Sequence, residues 1–488
     1  MKHLLKNPSL LILLLLVAGK VSGFIKDALL AYYFGAGIES DAFFLSSSVS
    51  SLLYIALYAS IAIVIVPKHT AALKDDGCVA DLYTSYIVYL AASVLLGLMT
   101  YHFSEEIIGL LASNANDQVL SEASIYLKLI SLTFPLSTGV AILNAIQSVR
   151  RTVFLVYLVP VFNNVLFCIG MVIFNGDGNL INIIVFSILS WAVLLFINLS
   201  SEKHLISKSI SVIISARFTS FNYATLVIPG LFILVEQLAL FVPIYFSSMS
   251  EVGDLTVYAL ANKLIMLVSS LALVVITANV LPKLAKAASS PDQIRHYLIE
   301  SLGMLVMFSI PALVFLISMS EEVVDLAYTR GGFSDENKIS VIGIFSIIVL
   351  ALPLMVYRDL INRAFIVLSK ARLGTILTVL ITLIYFLLSW FLFPDYSIKG
   401  VAYAMVSSTF LHVILLIVFL FTDQRKKMVL GSINVISRKV LCGTAIIAPF
   451  MFIDINSVVF CALFCVLYVG LLFILNDPTI KKIIQIYV

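Results

Sequence analysis

Long apolar stretches recur along the whole chain, separated by short polar segments. A bilayer core about 30 Å thick needs about 20 mostly apolar helical residues to cross it. Lipid cannot hydrogen-bond free backbone groups, and barrel strands are about 10 residues of alternating polarity, so helices are predicted. The pattern therefore predicts an all-α polytopic membrane protein with about 14 transmembrane helices. The predicted spans lie at about 10–34, 42–66, 80–102, 122–146, 152–175, 179–199, 222–247, 255–281, 297–319, 339–367, 373–393, 400–422, 437–453 and 456–476.

Two halves of the chain resemble each other at a shift of roughly 212–221 residues. A Tyr-Phe pair followed by an aspartate at 33–41, for example, recurs at 245–254. Each half holds six spans and starts from the same side, so we expect parallel repeats with a substrate cavity between them. This predicts two pseudo-symmetric six-helix lobes plus two C-terminal helices. The predicted boundaries are 1–200 for the first lobe, 201–220 for a cytoplasmic amphipathic linker, 221–422 for the second lobe and 423–488 for the two added helices.

Basic side chains are concentrated in alternate loops, and this distribution orients the predicted spans. Cytoplasmic loops of membrane proteins carry an excess of lysine and arginine. Both ends of the chain also contain lysines. We therefore expect a multi-pass membrane protein with both termini in the cytoplasm. The basic loop residues are Lys68, Lys74, Arg150, Arg151, Lys203, Lys208, Arg217, Lys283, Lys286, Arg295, Arg363, Lys370, Arg372, Arg425, Lys426, Lys427, Arg438 and Lys439.

The composition excludes an ordinary soluble protein and argues against an enzyme. The chain is 61% hydrophobic and 12% charged, with a mean hydropathy of +1.10, whereas soluble proteins average about 25% charged residues. Its five cysteines are too few and too scattered to predict a disulfide framework or a metal site. We find no nucleotide-binding glycine-rich loop and no hydrolase motif. A transporter without a cofactor is therefore predicted, coupled to the membrane potential, to a cation gradient or to the substrate's own gradient, with no nucleic-acid partner.

Three lysines lie well inside predicted spans: Lys20 and Lys26 in span one and Lys263 in span eight. A charge at that depth costs roughly 2.5–3.5 kcal/mol, so it usually faces a wet cavity or a partner. One interpretation is a cationic chamber for an anionic headgroup such as a diphosphate, because lysine binds phosphate as a point charge. The other interpretation is that each lysine extends to a membrane surface or neutralises a buried carboxylate such as Asp27.

Several further polar residues near or inside the spans have two interpretations each. Asp41 could form a gating contact with a lysine on the outer side, or could simply cap the second span. Glu236 could be a proton or sodium site, a neutral buried carboxyl or a partner in an interhelix hydrogen bond. Arg358 and Asp359 favour pairing between helices, and His412 favours a packed, hydrogen-bonded ring over a proton carrier.

Five short runs of the chain match the sequence pattern of a known family of membrane proteins. Three lie near the N-terminus: Gly-Lys-Val-Ser-Gly-Phe-Ile-Lys-Asp at 19–27, Tyr-Phe-Gly-Ala-Gly at 33–37 and Ser-Asp-Ala-Phe-Phe at 40–44. The other two are Tyr-Ala-Leu-Ala-Asn-Lys-Leu at 258–264 and Leu-Pro-Lys-Leu at 281–284. Through these runs the chain resembles the MurJ/MviN branch of the multidrug/oligosaccharidyl-lipid/polysaccharide exporter superfamily. The count of 14 spans also fits this branch, whereas drug-exporting and O-unit-exporting relatives typically have 12.

The resemblance implies a flippase of the bacterial inner membrane. Such a protein moves an undecaprenyl-diphosphate-linked saccharide, a lipid II-like cell-wall precursor, by alternating access. The resemblance implies that Lys20, Lys26 and Lys263 occupy the positions of the family's cavity arginines and that Asp41 is its essential gating aspartate. It also implies that spans thirteen and fourteen form a groove for the lipid tail. Lysine preserves the charge of arginine but loses its bidentate phosphate geometry. A further cavity arginine expected in span two is here Tyr54, which makes that residue a candidate for altered specificity.

These departures keep other functions open. The first alternative is a flippase for an O-antigen, capsule or exopolysaccharide repeat unit on the same lipid carrier. A second is an ion-coupled drug exporter, in which Glu236 would be the key carboxylate. A third is a membrane glycan ligase or polymerase, although the longest predicted outer loop, at about 320–338, is small for such an enzyme. We expect the protein to act as a monomer within the lipid bilayer.

Overall fold

The computed structural model describes most of the chain. The described residues are 8–73, 79–149, 154–174, 180–201, 224–275, 280, 284, 290–328, 331–368, 370–420, 425–450, 457–475 and 477–480. Almost all of them are helical, which confirms the all-α fold class. The predicted linker lies outside the described residues, except for Ser201.

The chain divides into two compact units, which are described separately. The first unit contains residues 1–260 and 330–337, and the second contains 261–329 and 338–488. The predicted lobe boundaries follow the sequence repeat rather than compactness, so they stay predictions. Helices of the first unit are α1 (Pro8–Phe34), α2 (Ile38–Ala72), α3 (Val79–His102), α4 (Ser104–Leu111), α5 (Asp117–Ser131), α6 (Thr133–Val149), α7 (Phe154–Phe174), α8 (Ile181–Ser201), α9 (Ala224–Ser248) and the start of α10 (Asp254–Val275).

Helix α2 is the centre of the first unit, because it packs against α3, α5, α6 and α9. Its buried residues Leu57, Ile61 and Ile65 recur every four positions, which places them on one face against α3 and α6. Near the end of this face, the Lys68 ammonium lies 2.9 Å from Asp81 Oδ2 on α3. The apolar face therefore joins the helices along their length, and an ion pair joins them at one end.

Helix α11 (Pro291–Ser318) has the central position in the second unit. It packs against α14 (Leu352–Val367), α16 (Arg425–Phe450) and α17 (Ser457–Ile474). Its residues Ile294, Leu298 and Leu302 are fully buried at four-residue spacing. The remaining elements are α12 (Ser320–Tyr328), α13 (Asp335–Ile348), a 3-10 turn (Val349–Ala351) and α15 (Ala371–Leu420).

Ten helical stretches of the described chain are long and apolar enough to cross a membrane. The stretch of 50 residues, α15, contains two helices that meet at a kink, where Ser397 has a φ of 50° and Pro394 lies three residues earlier. This kink falls between the predicted eleventh and twelfth spans. Helices α1, α9 and α10 overlap the predicted first, seventh and eighth spans in addition. The arrangement is consistent with 14 spans, and that total stays a prediction.

Each half of the chain places a short helix with the same starting residues after its third predicted span. Helix α4 begins Ser-Glu-Glu at 104–106 and α12 begins Ser-Glu-Glu at 320–322. A lysine from a following helix bonds to each, with Lys128 Nζ 2.8 Å from Glu105 Oε1 and Lys338 Nζ 2.6 Å from Asp325 Oδ1. This correspondence adds a structural observation in support of the repeat.

Candidate functional site

Asp41 joins the start of α2 to the start of α10. Its side chain is 4% exposed. One carboxylate oxygen accepts a hydrogen bond of 2.6 Å from the Gly253 backbone N–H, and the other accepts bonds of 2.8 Å and 2.6 Å from the Thr256 backbone N–H and hydroxyl. The first N–H groups of a helix lack intrahelical partners and carry partial positive charge, so an anion is stabilised there. Asp41 therefore caps a helix that is more than 200 residues away in sequence.

The geometry around Asp41 bears on both sequence-based interpretations of this residue. The N-cap of α2 is Gly37 rather than Asp41, which lies inside the first turn of α2. The hydrogen-bond donors on Asp41 are backbone and hydroxyl groups of α10, whereas the gating interpretation expected a lysine. The N-cap interpretation is therefore wrong for α2, because Asp41 caps α10 instead. The gating role of Asp41 stays a prediction.

Lys26 lies among three helices of the first unit. Its Nζ is 3.5 Å from Asp27 Oδ1, and the lysine side chain is 22% exposed while the aspartate is buried. The same Nζ lies 5.8 Å from the ring centroid of Phe43 on α2 and 5.3 Å from that of Phe167 on α7. Aromatic faces attract a cation, more strongly where water is excluded. The ammonium is thus held in place, and its charge is partly balanced by Asp27.

Lys20 and Lys263 are both exposed, on α1 of the first unit and α10 of the second unit. Beside Lys20, the Asn164 amide on α7 donates to the Gly19 carbonyl at 3.3 Å and to the Ser22 hydroxyl at 3.2 Å. These bonds fix the turn of α1 that carries Lys20. Both lysines therefore present their charge at the surface of their own unit, and a shared role for them stays a prediction.

Tyr54 points toward α6, within the first unit. Its ring stacks on Phe134 with a centroid distance of 4.5 Å. Its hydroxyl donates to the Phe134 carbonyl at 3.0 Å, accepts from the Ser137 hydroxyl at 2.8 Å and lies 2.7 Å from the Thr138 hydroxyl. The phenol is therefore fully engaged in packing α2 against α6. A role in specificity stays a prediction.

The remaining candidates lie on three different helices. Glu236 falls in α9, and its side chain is outside the described residues. On α14, Arg358 donates twice to Asp359 at 3.1 Å and 3.0 Å, so the bond formed is between neighbours on one helix rather than across helices. His412 is buried in α15, and its Nε2 has no hydrogen-bond partner among the described residues. The expected hydrogen-bonded ring is thus half correct, because the ring is packed but this nitrogen is unpaired.

An apolar cavity of about 750 Å³ lies within the second unit, walled by α11, α14, α15 and α16. Leu302, Val306 and Ile310 form the α11 wall, and Ile436 and Val440 belong to the α16 wall. The lining includes the thirteenth predicted span, α16, but contains no residue of α17 within the described chain. Helix α17 instead packs behind α16 and α11. We call this cavity the apolar groove.

Sequence reasoning missed several groups that the structure places beside these residues. Phe43 and Phe167 gave no signal, because aromatic residues are common in apolar spans. Gly253 gave none either, since its role depends on a contact with a distant helix. The run Gly331-Gly332 was visible as a turn signal, but its partner could not be identified from the sequence.

Comparisons with known proteins agree with this architecture. The family model described as lipid II flippase MurJ matches residues 30–474. A probable lipid II flippase MurJ of Aquifex aeolicus (strain VF5) is 27% identical over 361 residues, which cover 71% of this chain and 69% of the relative. A probable lipid II flippase MurJ of Buchnera aphidicola subsp. Baizongia pistaciae (strain Bp) is 23% identical over 337 residues, which cover 64% of each chain.

Two solved structures share the fold. Lipid II flippase MurJ in an inward closed conformation superposes with a TM-score of 0.74 at 18% identity, covering 94% of this chain and 99% of that one. A multidrug resistance MATE family transporter in an inward-facing conformation superposes with a TM-score of 0.66 at 15% identity, covering 85% of this chain and 95% of that one. Because the family match spans most of the sequence, the chain belongs to the lipid II flippase MurJ family.

Proposed function

We propose that this protein flips an undecaprenyl-diphosphate-linked saccharide, of the lipid II type, across the bacterial inner membrane. The observation that carries the proposal is the family match over residues 30–474, since the members of this family are transporters of lipid II rather than enzymes. The many apolar helices place the chain in the membrane as a multi-pass protein. The predicted cytoplasmic position of both termini is part of the proposal.

Lys20, Lys26 and Lys263 supply the positive charge that binds the diphosphate. Lys20 and Lys263 are exposed, so a ligand can reach them, and Lys26 is held beside aromatic rings with part of its side chain accessible. Lysine offers a compact charge with rotatable donors, whereas arginine offers a rigid fork. Binding by three lysines is therefore expected to depend on the charge of the diphosphate more than on its orientation.

Asp41 closes the outer end of the transport path. Three hydrogen bonds from α10 to its buried carboxylate support this role, because they join α2 of the first predicted lobe to α10 of the second. Hydrogen bonds to a charged acceptor are roughly twice as strong as neutral ones. Breaking them would free the start of α10, which allows the alternating access expected of the family.

The lipid tail lies in the apolar groove of the second unit. A volume of about 750 Å³ falls within the range of roughly 300–1,000 Å³ that is typical of ligand sites. It is large enough for part of a long polyprenyl chain, and the rest would remain in the bilayer. An almost wholly apolar lining suits a hydrocarbon and offers few hydrogen-bonding groups to a sugar.

A flippase for another glycan on the same lipid carrier is the second candidate. The observation that favours it is the replacement of all three cavity arginines by lysine, together with Tyr54 at the fourth arginine position. Tyr54 is fully engaged with α6, so the cavity lacks that positive charge. A different sugar headgroup could require such a change.

A rescue assay in bacteria depleted of their own lipid II flippase tests the proposal. The unaltered chain should restore growth, and Lys20→Ala and Lys263→Ala should not. Lys128→Ala is the matched control, because Lys128 pairs with Glu105 at an exposed site and should be dispensable. Growth restored equally by all three variants would overturn the lysine site. Failure of the unaltered chain despite confirmed membrane insertion would favour the second candidate.

A further inference from the structure

Three glycines of the first unit have left-handed backbone conformations and lie next to the ends of helices. Gly35 follows α1 and has a φ of 61°, Gly253 precedes α10 and has a φ of 99°, and Gly331 follows α12 and has a φ of 79°. A positive φ strains any residue with a side chain, so glycine is favoured at each position. Gly331 and Gly253 both approach the segment at 32–36, which contains Gly35.

The loop at 331–332 contacts the end of α1 through its backbone. The Gly332 N–H donates a hydrogen bond of 2.8 Å to the Tyr32 carbonyl. The last four carbonyls of a helix have no intrahelical partner, so this bond satisfies an end group of α1. The loop therefore caps the C-terminal end of α1, just as Asp41 caps the N-terminal end of α10.

The loop and the end of α1 approach each other too closely for a side chain at these glycines. A Cβ atom built on Gly331 would lie 2.2 Å from the Tyr32 carbonyl oxygen, and one on Gly35 would lie 2.5 Å from the Gly332 carbonyl oxygen. A Cβ atom on Gly253 would lie 2.9 Å from the Ala36 carbonyl oxygen. Gly332 differs, because the nearest atom to its added Cβ would be 3.5 Å away. That distance is an ordinary van der Waals contact, so Gly332 tolerates a methyl group.

The loop belongs to a different part of the chain from the helix it caps. Residues 330–337 group with the first unit, whereas the residues before and after them, from 261 to 329 and from 338 onward, form the second unit. The loop therefore contacts the end of α1 although its neighbours in sequence belong to the second unit. The segment from Gly35 to Asp41 contacts both the loop and the start of α10.

We propose that residues 331–332 form a strap that locks the end of α1, and that this strap must release Tyr32 before the outer end can open. The inference rests on the proposed function, since it assigns the strap to the same closure as Asp41. Closure then depends on two separate caps, one made by a carboxylate and one by a glycine backbone. Loss of either cap favours the open state, and both must break in each transport cycle.

A pair of neighbouring glycine variants tests the strap. Spin labels are attached to cysteines at Leu110 and Leu326, which are 80% and 79% exposed on α4 and α12, in a chain whose five native cysteines are replaced by alanine. Gly331→Ala should add a population with a longer distance between the labels. Gly332→Ala is the matched control and should give the distribution of the parent chain. A folded Gly331→Ala variant with the parent distribution would overturn the proposal.

Hydrogen exchange on the unaltered chain provides a second test that does not depend on the folding of a variant. The Gly332 amide should exchange slowly in the resting protein. Exchange at 331–334 should accelerate when vesicles containing lipid II and the protein are transporting, whereas the Ala115 amide, bonded to the Ala112 carbonyl at 2.9 Å, should be unaffected. Unchanged exchange at 331–334 during transport contradicts the strap. If the protein moves no lipid II, the proposed function fails, and the label distances of Gly331→Ala still decide the strap.

Discussion

Replacing Asp41 by asparagine should shift the protein from the closed to the open state at its outer end. An asparagine can still accept from Thr256, but its amide group cannot accept from the Gly253 N–H, and the charge that the start of α10 stabilises is lost. A hydrogen bond to a charged group contributes about 1.5–3 kcal/mol, so removing one should lower the closed-to-open ratio by about 10- to 150-fold. Asp41→Ala removes all three bonds and should have a larger effect.

The same pair of spin labels measures this shift in detergent or vesicles. Asp254→Asn is the matched control, because Asp254 is the repeat-related aspartate at the start of α10 and bonds instead to the Ser250 hydroxyl in its own loop. The control should keep the parent distribution of distances. If Asp41→Ala and the parent chain give the same distribution, the capping bonds do not hold the closed state, and the gating argument is refuted.

Two further predictions concern packing. Asp477→Asn should destabilise the protein by about 3–5 kcal/mol, because it leaves the buried ammonium of Lys439 without its counter-charge. In the unaltered chain this ammonium lies 3.0 Å from Asp477 Oδ2. The melting temperature measures the loss, and the double variant Lys439→Met with Asp477→Leu should recover most of it. Burial alone would raise the pKa of Asp477, but hydrogen bonds from Lys439 and the Thr479 N–H outweigh it and lower the pKa below its usual value. The stability that this pair contributes is therefore complete above the ordinary aspartate pKa of about 4, and it is lost as the pH falls through the lower pKa of the folded protein. A melting temperature of the unaltered chain that does not change on acidification would contradict this contribution. Tyr54→Phe should cost about 1–2 kcal/mol of stability, because it removes the hydrogen bonds between the phenol and α6, and it should restore growth in the rescue assay as the unaltered chain does. Loss of rescue by a folded Tyr54→Phe protein would show that the phenol takes part in transport.

The helices could be predicted from the sequence because apolar length alone specifies a membrane span. Helix α15 illustrates the limit of that reasoning, since the kink at Ser397 depends on a local backbone conformation rather than on apolar length. The apolar groove illustrates another limit. The resemblance implied a contribution from both added helices, but the lining includes α16 without α17, and only packing decides which helix faces inward.

The candidate site was partly predictable, because charge inside an apolar span is visible in the sequence. Asp41 was visible as a candidate for a polar contact, but its partners Gly253 and Thr256 are over 200 positions away and are selected by the fold. The surroundings of Lys26 were invisible for the same reason, since Phe43 and Phe167 come from two other helices. Residue type is therefore readable from sequence, whereas the pairing of residues from distant helices is not.

Transport of fluorescent lipid II in vesicles containing the purified protein tests the central claim most directly. Lipid II labelled on its headgroup is placed in both leaflets, and the fraction that becomes accessible to an impermeant quencher or enzyme is followed in time. The account predicts rapid exchange between leaflets with the unaltered chain and with Lys128→Ala, and slow exchange with Lys20→Ala and Lys263→Ala. Exchange no faster than in empty vesicles, from protein shown to be folded and inserted, would contradict lipid II as the substrate.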